Sequence, residues 1–209
     1  GAVETWTGGE ATRHSWSAWT GATWSPFGKL SDVGWRFRVS GGGGQFGSRQ
    51  SIYGTSAFAD LLIGYQVGIG AVTLKAFAGG TFDGVMLQPV EQPPTAFSTQ
   101  TGAKGVVETW VNWTSEVWSQ VDLAYASVHR TYSGRIRTGY RVMPDVSIGV
   151  EVGSFTKIDY ENQRVGAFLR YEWLGGEISA AGGISSEATS GAGRGSRPPY
   201  GTLVYLTRF

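Results

Sequence analysis

Residues 132–142 read YSGRIRTGYRV, and this stretch decides the fold. Apolar or aromatic side chains alternate with basic or small ones along it. One face carries Tyr132, Ile136, Tyr140 and Val142, and the opposite face carries Arg135, Arg137, Gly139 and Arg141. A period of two residues indicates a β-strand, because successive side chains of a strand point to opposite sides of the sheet. The stretch therefore predicts a strand with one apolar face and one charged face.

The same alternation recurs along nearly the whole chain, and no sustained helical stripe of apolar residues interrupts it. It predicts about twelve strands. Their approximate bounds are 4–11, 16–25, 34–45, 55–67, 71–83, 102–113, 116–128, 131–142, 146–155, 162–173, 177–186 and 199–209. Most are near the roughly 9–11 residues that a tilted strand needs to cross a bilayer. Strands of ordinary soluble proteins are nearer about 5–6 residues.

The links between the predicted strands alternate between short and long. GKLSD, GIG, TS, MPD and GG are short, whereas 44–53, 84–101, 155–163 and 187–200 are long. The link at ATRHS and the link near His129 depart from this alternation. A transmembrane barrel has short turns on the inner side of the membrane and longer loops outside. We therefore predict an all-β fold, an antiparallel up-and-down transmembrane β-barrel, as a single domain over 1–209.

The two faces of the predicted strands suit lipid on the outside and a hydrated interior. Aromatic rings near the strand ends suit the headgroup level of a bilayer, and they comprise Trp24, Trp35, Tyr65, Trp113, Tyr132, Tyr140, Tyr171, Trp173 and Tyr205. The opposite, lumen-lining face carries Arg36, Arg38, Asp60, Lys75, Lys104, Glu108, Asp122, Arg135, Arg137, Arg141, Glu151, Arg164, Arg170 and Glu172. So many charges would be costly in a dry core. The alternative is a soluble β-barrel binding protein with the faces reversed.

Twelve tilted strands would form a backbone cylinder about 24 Å across. The inward side chains would narrow this cylinder to a passage of about 10 Å or close it. Two interpretations of the inward charges stay open. The arginines could favour anionic or hydroxyl-rich solutes, because guanidinium groups offer planar forks of donors. The ions could instead only hold the strands together.

Composition excludes several classes of function. The formal net charge of +1 gives no electrostatic reason to expect a nucleic-acid partner. The absence of cysteine excludes a disulfide scaffold and a thiolate metal site. Histidine-rich metal spacing is missing, and GGGGQFG at 41–47 lacks the helix and lysine of a phosphate loop. We predict no metal and no cofactor, and we expect an export signal to have been removed.

Candidate catalytic residues are few. His129 has Ser127 and Ser133 nearby and Asn112 on a neighbouring strand, which are the residue types of a lipid-hydrolysing set. Glu108 and Asp122 are the inward carboxylates to consider for glycan hydrolysis. Neither group has a spacing that specifies catalysis. We predict that the protein is not an enzyme, with a barrel enzyme acting on lipid or glycan as the alternative.

The sequence GTLVYLTRF at 201–209 alternates up to its last residue. Phe209, Tyr205 and Leu203 lie on the outward face of the last predicted strand. We interpret this aromatic end as an assembly signal read by the outer-membrane assembly machinery. The last strand is also expected to pair with the first, because closure removes both sheet edges.

Two segments carry a resemblance to a known family. LSDVGWRFRVSGGGGQF at 30–46 and ADLLIGYQVGIGAVTLKAFAGGTFD at 59–83 are followed by GYRV and VSIGVEVG on a later strand pair. From about Trp16 to Phe209 the chain resembles the cellulose biosynthesis protein BcsS family. The resemblance implies a porin-like outer-membrane barrel of a Gram-negative bacterium, associated with cellulose or exopolysaccharide biosynthesis or export. It implies outer-membrane lipid and polysaccharide or cellulose-synthesis components as partners, and it brings no catalytic residues.

Overall fold

A computed structural model describes residues 1–47, 52–89, 98–157, 160–189 and 197–209 of the chain. These residues form twelve β-strands and one short 3-10 turn, Val128–Arg130. The strands are β1 Ala2–Thr12, β2 Ser15–Ser25, β3 Gly34–Gly47, β4 Ile52–Ile69, β5 Val72–Pro89, β6 Ser98–Asn112, β7 Val117–Ala126, β8 Thr131–Met143, β9 Val146–Lys157, β10 Tyr160–Trp173, β11 Gly176–Thr189 and β12 Pro199–Arg208. Among the described residues, no helix is long and apolar enough to pass through a membrane.

The sheet closes on itself. Each strand pairs antiparallel with its neighbours in the sequence, and β1 pairs with β12. The closing register runs from Glu4 opposite Arg208 to Thr12 opposite Tyr200. Closure satisfies the backbone groups that a free sheet edge would expose. The predicted all-β, twelve-stranded, up-and-down barrel is confirmed.

The barrel has two different ends. Both termini and the links 26–33, 70–71, 113–116, 144–145 and 174–175 lie at one end, which we call the turn end. The links 13–14 and 127–130, the second of which contains the 3-10 turn, lie at the other end, which we call the loop end. This arrangement follows from the even strand number, because antiparallel strands return the chain to the end where it started.

The strands continue further into the loop end than the sequence predicts. The link expected at 84–101 is largely strand, since β5 reaches Pro89 and β6 begins at Ser98. The backbone ladder continues to the pair of Ile52 with Pro89, after the apolar alternation has faded. Ladder hydrogen bonds do not need apolar side chains, which is why periodicity underestimates these strands. Whether the predicted link fills the lumen depends on 90–97, outside the described residues.

Exposure alternates along the strands. In β3 the outward Trp35 is 50% exposed, whereas the neighbouring Arg36 is 2% exposed. Outward rings pack against one another near the turn end, for example Trp35 against Tyr65 at 5.2 Å between ring centroids. Tyr125 and Tyr132 form a corresponding pair near the loop end, at 4.8 Å. The outside of the barrel is therefore an apolar surface bordered by aromatic rings.

Candidate functional site

Charged side chains from non-adjacent strands meet inside the barrel. Arg38 of β3 binds Glu108 of β6, and Arg164 of β10 contacts Glu10 of β1. Strands separated in this way in a closed sheet can touch only through the interior. The interior is therefore the candidate functional site.

Arg38 bridges the interior with its whole guanidinium group. Nη1 and Nη2 donate to the two carboxylate oxygens of Glu108, both at 2.9 Å, and Nε donates to Thr23 Oγ1 at 3.0 Å. The same group lies 3.9 Å from the ring centroid of Phe77 and 5.1 Å from that of Trp6. Paired hydrogen bonds between arginine and carboxylate fix geometry as well as charge.

A second bridge is built on Arg137. Its Nε donates to Glu151 Oε2 at 2.7 Å, and its Nη1 donates to Ser179 Oγ of β11 at 3.1 Å. The other oxygen of Glu151 accepts a hydrogen bond from the hydroxyl of Tyr200 at 2.8 Å. The Arg137 and Glu151 side chains are 5% and 3% exposed. This bridge therefore connects β8, β9, β11 and β12 across the interior.

Glu108 and Asp122 are opposite each other in the register of β6 and β7. Arg38 binds the first carboxylate, and Arg135 Nη2 donates to Asp122 Oδ2 at 2.9 Å. Each carboxylate that the sequence suggested for glycan hydrolysis therefore has its own guanidinium partner. The geometry is that of two structural ion pairs side by side.

A network near the turn end holds the seam where the barrel closes. Arg170 binds Glu172 at 2.9 Å and also binds Glu177. Arg208 binds Glu177 at 3.2 Å and Glu4 at 3.0 Å. These contacts link β10, β11, β12 and β1 in order. The network therefore ties the last strand to the first through side chains as well as through the backbone.

An aromatic stack lies next to this network inside the barrel. Trp118 lies 4.3 Å from Trp110, nearly parallel to it, and 5.5 Å from Phe168. Arg170 lies 5.2 Å from the Trp118 ring, and the indole nitrogen of Trp118 donates to Ser147 Oγ at 3.2 Å. Trp118 is 0% exposed. This part of the interior is packed like a protein core.

The link 26–33 wraps around Arg36 at the turn end. The Arg36 guanidinium donates to the carbonyls of Trp35 at 2.8 Å, Leu30 at 3.0 Å and Asp32. Gln66 Nε2 donates to the Leu30 carbonyl as well, at 3.0 Å. The short turn predicted at GKLSD is thus part of a longer link organised by a buried cation. It covers part of the turn end of the interior.

Inward rings repeatedly lie against a glycine directly opposite on the neighbouring strand. A Cβ at Gly139 would stand 2.5 Å from the ring of Trp118, closer than any real contact. The same arrangement recurs for Trp19 with Gly8, Trp6 with Gly21, Phe58 with Gly42, Phe46 with Gly54, Phe77 with Gly64 and Phe168 with Gly149. Part of the high glycine content therefore makes room for aromatic rings inside the barrel.

Two carboxylates, Asp60 and Asp83, lie farther from the turn end than the aromatic stack. Asp60 accepts hydrogen bonds from Lys104 Nζ at 2.5 Å, Thr81 Oγ1 at 2.6 Å and Ser40 Oγ at 3.3 Å. The second carboxylate, Asp83, lies closer to the loop end, two residues further along β5 than Thr81. Ion pairs therefore continue from the turn end to the loop end.

Two side chains, those of Lys157 and His129, contact the Asp83 carboxylate. Its Oδ2 accepts a hydrogen bond from Lys157 Nζ at 2.6 Å and lies 3.3 Å from His129 Nδ1. The His129 side chain is only 7% exposed, although the residue lies in a link between strands. The 3-10 turn folds inward here, with φ of 51° at His129 and 43° at Arg130. Such angles are uncommon outside glycine and are held by surrounding contacts.

The residues of the suggested lipid-hydrolysing set do not come together. Ser127 Oγ accepts a hydrogen bond from the Ala103 backbone at 2.9 Å instead of facing His129 as a nucleophile. Asn112 lies at the turn end, where its Oδ1 accepts a hydrogen bond from Arg141 at 3.3 Å. The histidine and the asparagine are thus at opposite ends of the barrel. Within the described ranges, no cluster of His, Cys, Asp or Glu is arranged to hold a metal ion.

Most of the predicted lumen-lining residues take part in the ion pairs. Those in pairs are Arg38, Asp60, Lys104, Glu108, Asp122, Arg135, Arg137, Glu151, Arg164, Arg170 and Glu172. Arg36 and Arg141 bind backbone carbonyls, and Lys75 is opposite Glu108 in the register. That any of them faces a solute stays a prediction, as does the assembly signal at Phe209, Tyr205 and Leu203.

Several partners of these residues were not predicted from the sequence, namely Glu4, Glu10, Asp83, Lys157, Glu177 and Tyr200. Each lies on the inward side of its strand, so strand parity was the signal available. Lys157 follows the predicted end of β9 at 155, which is why it escaped notice. A hollow of about 540 Å³ is bounded by residues of both faces, among them the outward Leu123, Ile136 and Val152 and the inward Arg135, Arg164 and Ser185.

A closed antiparallel barrel with an apolar exterior and an ion-paired interior defines the class of outer-membrane-type β-barrels. Solved structures of similar fold include the KdgM porin in complex with disordered oligogalacturonate, at 11% identity and a TM-score of 0.54, covering 99% of both chains. LpxR from Salmonella typhimurium matches at 8% identity and a TM-score of 0.59, covering 98% of this chain and 99% of that one. The translocator domain of autotransporter NalP from Neisseria meningitidis matches at 11% identity and 0.57, covering 100% and 88%. These likenesses establish the fold alone.

The family model of the cellulose biosynthesis protein BcsS matches residues 4–209. The chain belongs to this family, and the resemblance seen in the sequence is confirmed. A search of curated proteins finds no match. The barrel therefore serves cellulose biosynthesis, and its interior has to be interpreted from its own geometry.

Proposed function

We propose that this protein acts in cellulose biosynthesis as a closed outer-membrane barrel, which works through its loop-end mouth and not as an open channel or an enzyme. The family supplies the process. Large apolar side chains such as Leu61 and Val150 are 71% and 63% exposed on the outer face. Water would penalise so much apolar surface, whereas a bilayer accommodates it.

The observation that carries the proposal is the dryness of the turn-end half of the interior. Trp118 is 0% exposed, Arg36 2%, Leu62 3% and Phe77 4%. A water-filled channel would leave the side chains along its wall accessible to solvent. In this barrel, rings and paired ions occupy much of the space, although the paired side chains of Glu108, Asp122 and Arg135 keep 27%, 25% and 30% exposure. A continuous hydrated passage is therefore not supported.

The same geometry supports a role other than catalysis. The carboxylates at Glu108 and Asp122 are held by arginines, and the His129 ring is held by Asp83. Ser127 Oγ is bound to the Ala103 backbone, so no nucleophile among the suggested residues faces His129. We propose that the ion pairs support the wall of the barrel.

Orientation follows from the general architecture of outer-membrane barrels. Short turns and both termini face the periplasm in such proteins, and the loops face outward. On this basis the turn end would meet periplasmic cellulose-synthesis components, and the loop end would meet the polysaccharide. Outer-membrane lipid would surround the apolar belt. The outer-membrane assembly machinery is the partner proposed for insertion.

Planar-bilayer recording tests the closed barrel. We expect the purified protein to insert without producing steady stepwise currents. A variant with Trp118→Ala and Phe168→Ala loses ring volume from the aromatic stack, and we expect it to pass small ions. Currents through this variant would also show that the protein inserts into the bilayer. Steady wild-type conductance at the level of an open porin would overturn the proposal. Cello-oligosaccharide and oligogalacturonate are useful additions, since the KdgM porin was solved with the latter.

A further inference from the structure

A cavity of about 290 Å³ lies inside the barrel near the loop end, beside the inward-folded turn between β7 and β8. Its lining combines aromatic rings, hydroxyl groups and ion-paired charges. Trp19 and Phe58 supply rings, Ser56 and Ser133 supply hydroxyls, and Asp83 supplies a carboxylate. The volume is at the lower end of the range for small-molecule pockets, about 300–1,000 Å³. It suits a small ligand or the end of a longer one.

One oxygen of the Asp83 carboxylate has no hydrogen-bond donor among the described residues. The side chain is 8% exposed, and Oδ2 is engaged by Lys157 and His129. Oδ1 is buried and has no hydrogen-bond donor among the described residues. A buried carboxylate oxygen without a donor is costly, and native structures seldom leave one unsatisfied. A hydroxyl group in the cavity would supply the missing donor once the carboxylate rotates, because Oδ1 itself has almost no accessible surface.

The rings are placed so that a flat ligand can stack on them. Trp19 lies against Gly8 and Phe58 lies against Gly42, so neither ring has a side chain behind it. Held against the wall in this way, Trp19 leaves a ring face toward the cavity, whereas Phe58 shares its ring face with Lys104 Nζ, 5.5 Å from the ring centroid. The C–H faces of a sugar ring pack well on aromatic faces, which are electron-rich.

The charges of the cavity favour a neutral ligand over an anion. Lys104 is paired with Asp60 at 2.5 Å, and Lys157 is paired with Asp83 at 2.6 Å. Each ammonium group that lines the described cavity thus already has a carboxylate. A uronate or phosphate would have to compete with these pairs, whereas a neutral hydroxyl donor would complete the one oxygen left open.

We propose that this cavity binds the end of a neutral oligosaccharide, with a sugar hydroxyl donating to Asp83 Oδ1 and a sugar ring packed on Trp19 or Phe58. The inference rests on the proposed function only for its choice of β-1,4-linked glucose as the polymer. The site would let the barrel hold a glucan end at its loop-end mouth without passing the polymer through the interior.

Isothermal titration calorimetry on the whole chain tests the site, in a zwitterionic detergent without a sugar headgroup. Cellotetraose is the probe, and maltotetraose and tetragalacturonate are the comparisons. We expect cellotetraose to bind the wild type, and Asp83→Asn to weaken binding about tenfold, since one charge-assisted hydrogen bond is lost. Asp32→Asn, the same substitution at the turn end, is the matched control and should leave binding unchanged.

Phe58→Leu provides a second variant in case Asp83→Asn fails to fold, and it is expected to weaken binding about tenfold. No wild-type binding at millimolar cellotetraose would overturn the inference. Binding unaffected by either variant, or tighter binding of tetragalacturonate, would overturn it as well. Maltotetraose binding equal to cellotetraose would retain the saccharide site and remove the β-1,4 preference. The bilayer recordings separate the two proposals, because a conducting barrel that binds cellotetraose contradicts only the closed lumen.

Discussion

Replacing Glu108 by glutamine removes the counter-ion of Arg38 and changes the side-chain shape little. The Arg38 guanidinium would lose one of two hydrogen bonds at 2.9 Å and would face an amide group that also donates. Breaking a buried ion pair from one side costs about 3–5 kcal/mol. The Glu108 side chain keeps 27% exposure, and Phe77 lies 3.9 Å from the guanidinium. Both features soften the loss, so we expect a decrease of about 3 kcal/mol in the free energy of unfolding.

Urea titration of the refolded protein in lipid vesicles measures this loss through tryptophan fluorescence. The double variant Arg38→Met with Glu108→Leu removes both charges, and we expect it to recover at least about half of the loss. Glu116→Gln, in the exposed link after β6, is the control and should stay within about 0.5 kcal/mol of the wild type. A Glu108→Gln loss below about 1 kcal/mol, or a double variant as unstable as the sum of its single variants, would refute the reasoning.

Three further predictions concern stability and closure. Gly139→Ala would press a methyl group onto the Trp118 ring and should lower the free energy of unfolding by about 1–3 kcal/mol in the same titration. Gly68→Ala, with open space around it, should lower it far less. Equal losses would contradict the steric argument. Arg36→Ala should release the link between β2 and β3 and speed its cleavage by trypsin, and an unchanged digestion pattern would contradict this role. Glu177→Gln removes the carboxylate shared by Arg170 and Arg208 and should weaken the closing seam. The temperature at which heating abolishes the faster-migrating band of the folded barrel on a denaturing gel should fall by about 3–6 °C. No shift would show that backbone pairing alone holds the seam.

The alternation of side chains was sufficient to predict the strands and their faces. In β8, the pattern that begins at Tyr132 assigned Ile136 to the outside and Arg137 to the inside, and their exposures are 49% and 5%. This succeeds because a strand has only two faces, and the bilayer makes one of them apolar. The bounds of the strands were less accurate at the loop end, where the apolar requirement disappears but the backbone ladder continues.

The partners within the interior could not be predicted in the same way. Arg38 and Glu108 are on strands three apart, and Asp83 of β5 meets Lys157 of β9. Which acid meets which base depends on the stagger between strands and on the lengths of the side chains. A sequence pattern carries neither quantity. The proposed closure of the turn-end half rests on these contacts, which the sequence pattern does not contain.

The rings that lie on glycines have a consequence for the width of the barrel. If β7 slipped by two residues along β8, Trp118 would stand opposite Arg137 or Arg141 and not opposite Gly139. A similar slip of β4 along β5 would set Phe77 opposite Leu62 or Gln66. Each such misalignment would force a large side chain into occupied space. Because strand number and shear together determine the diameter of a barrel, the residues without side chains help to fix how wide this barrel can be.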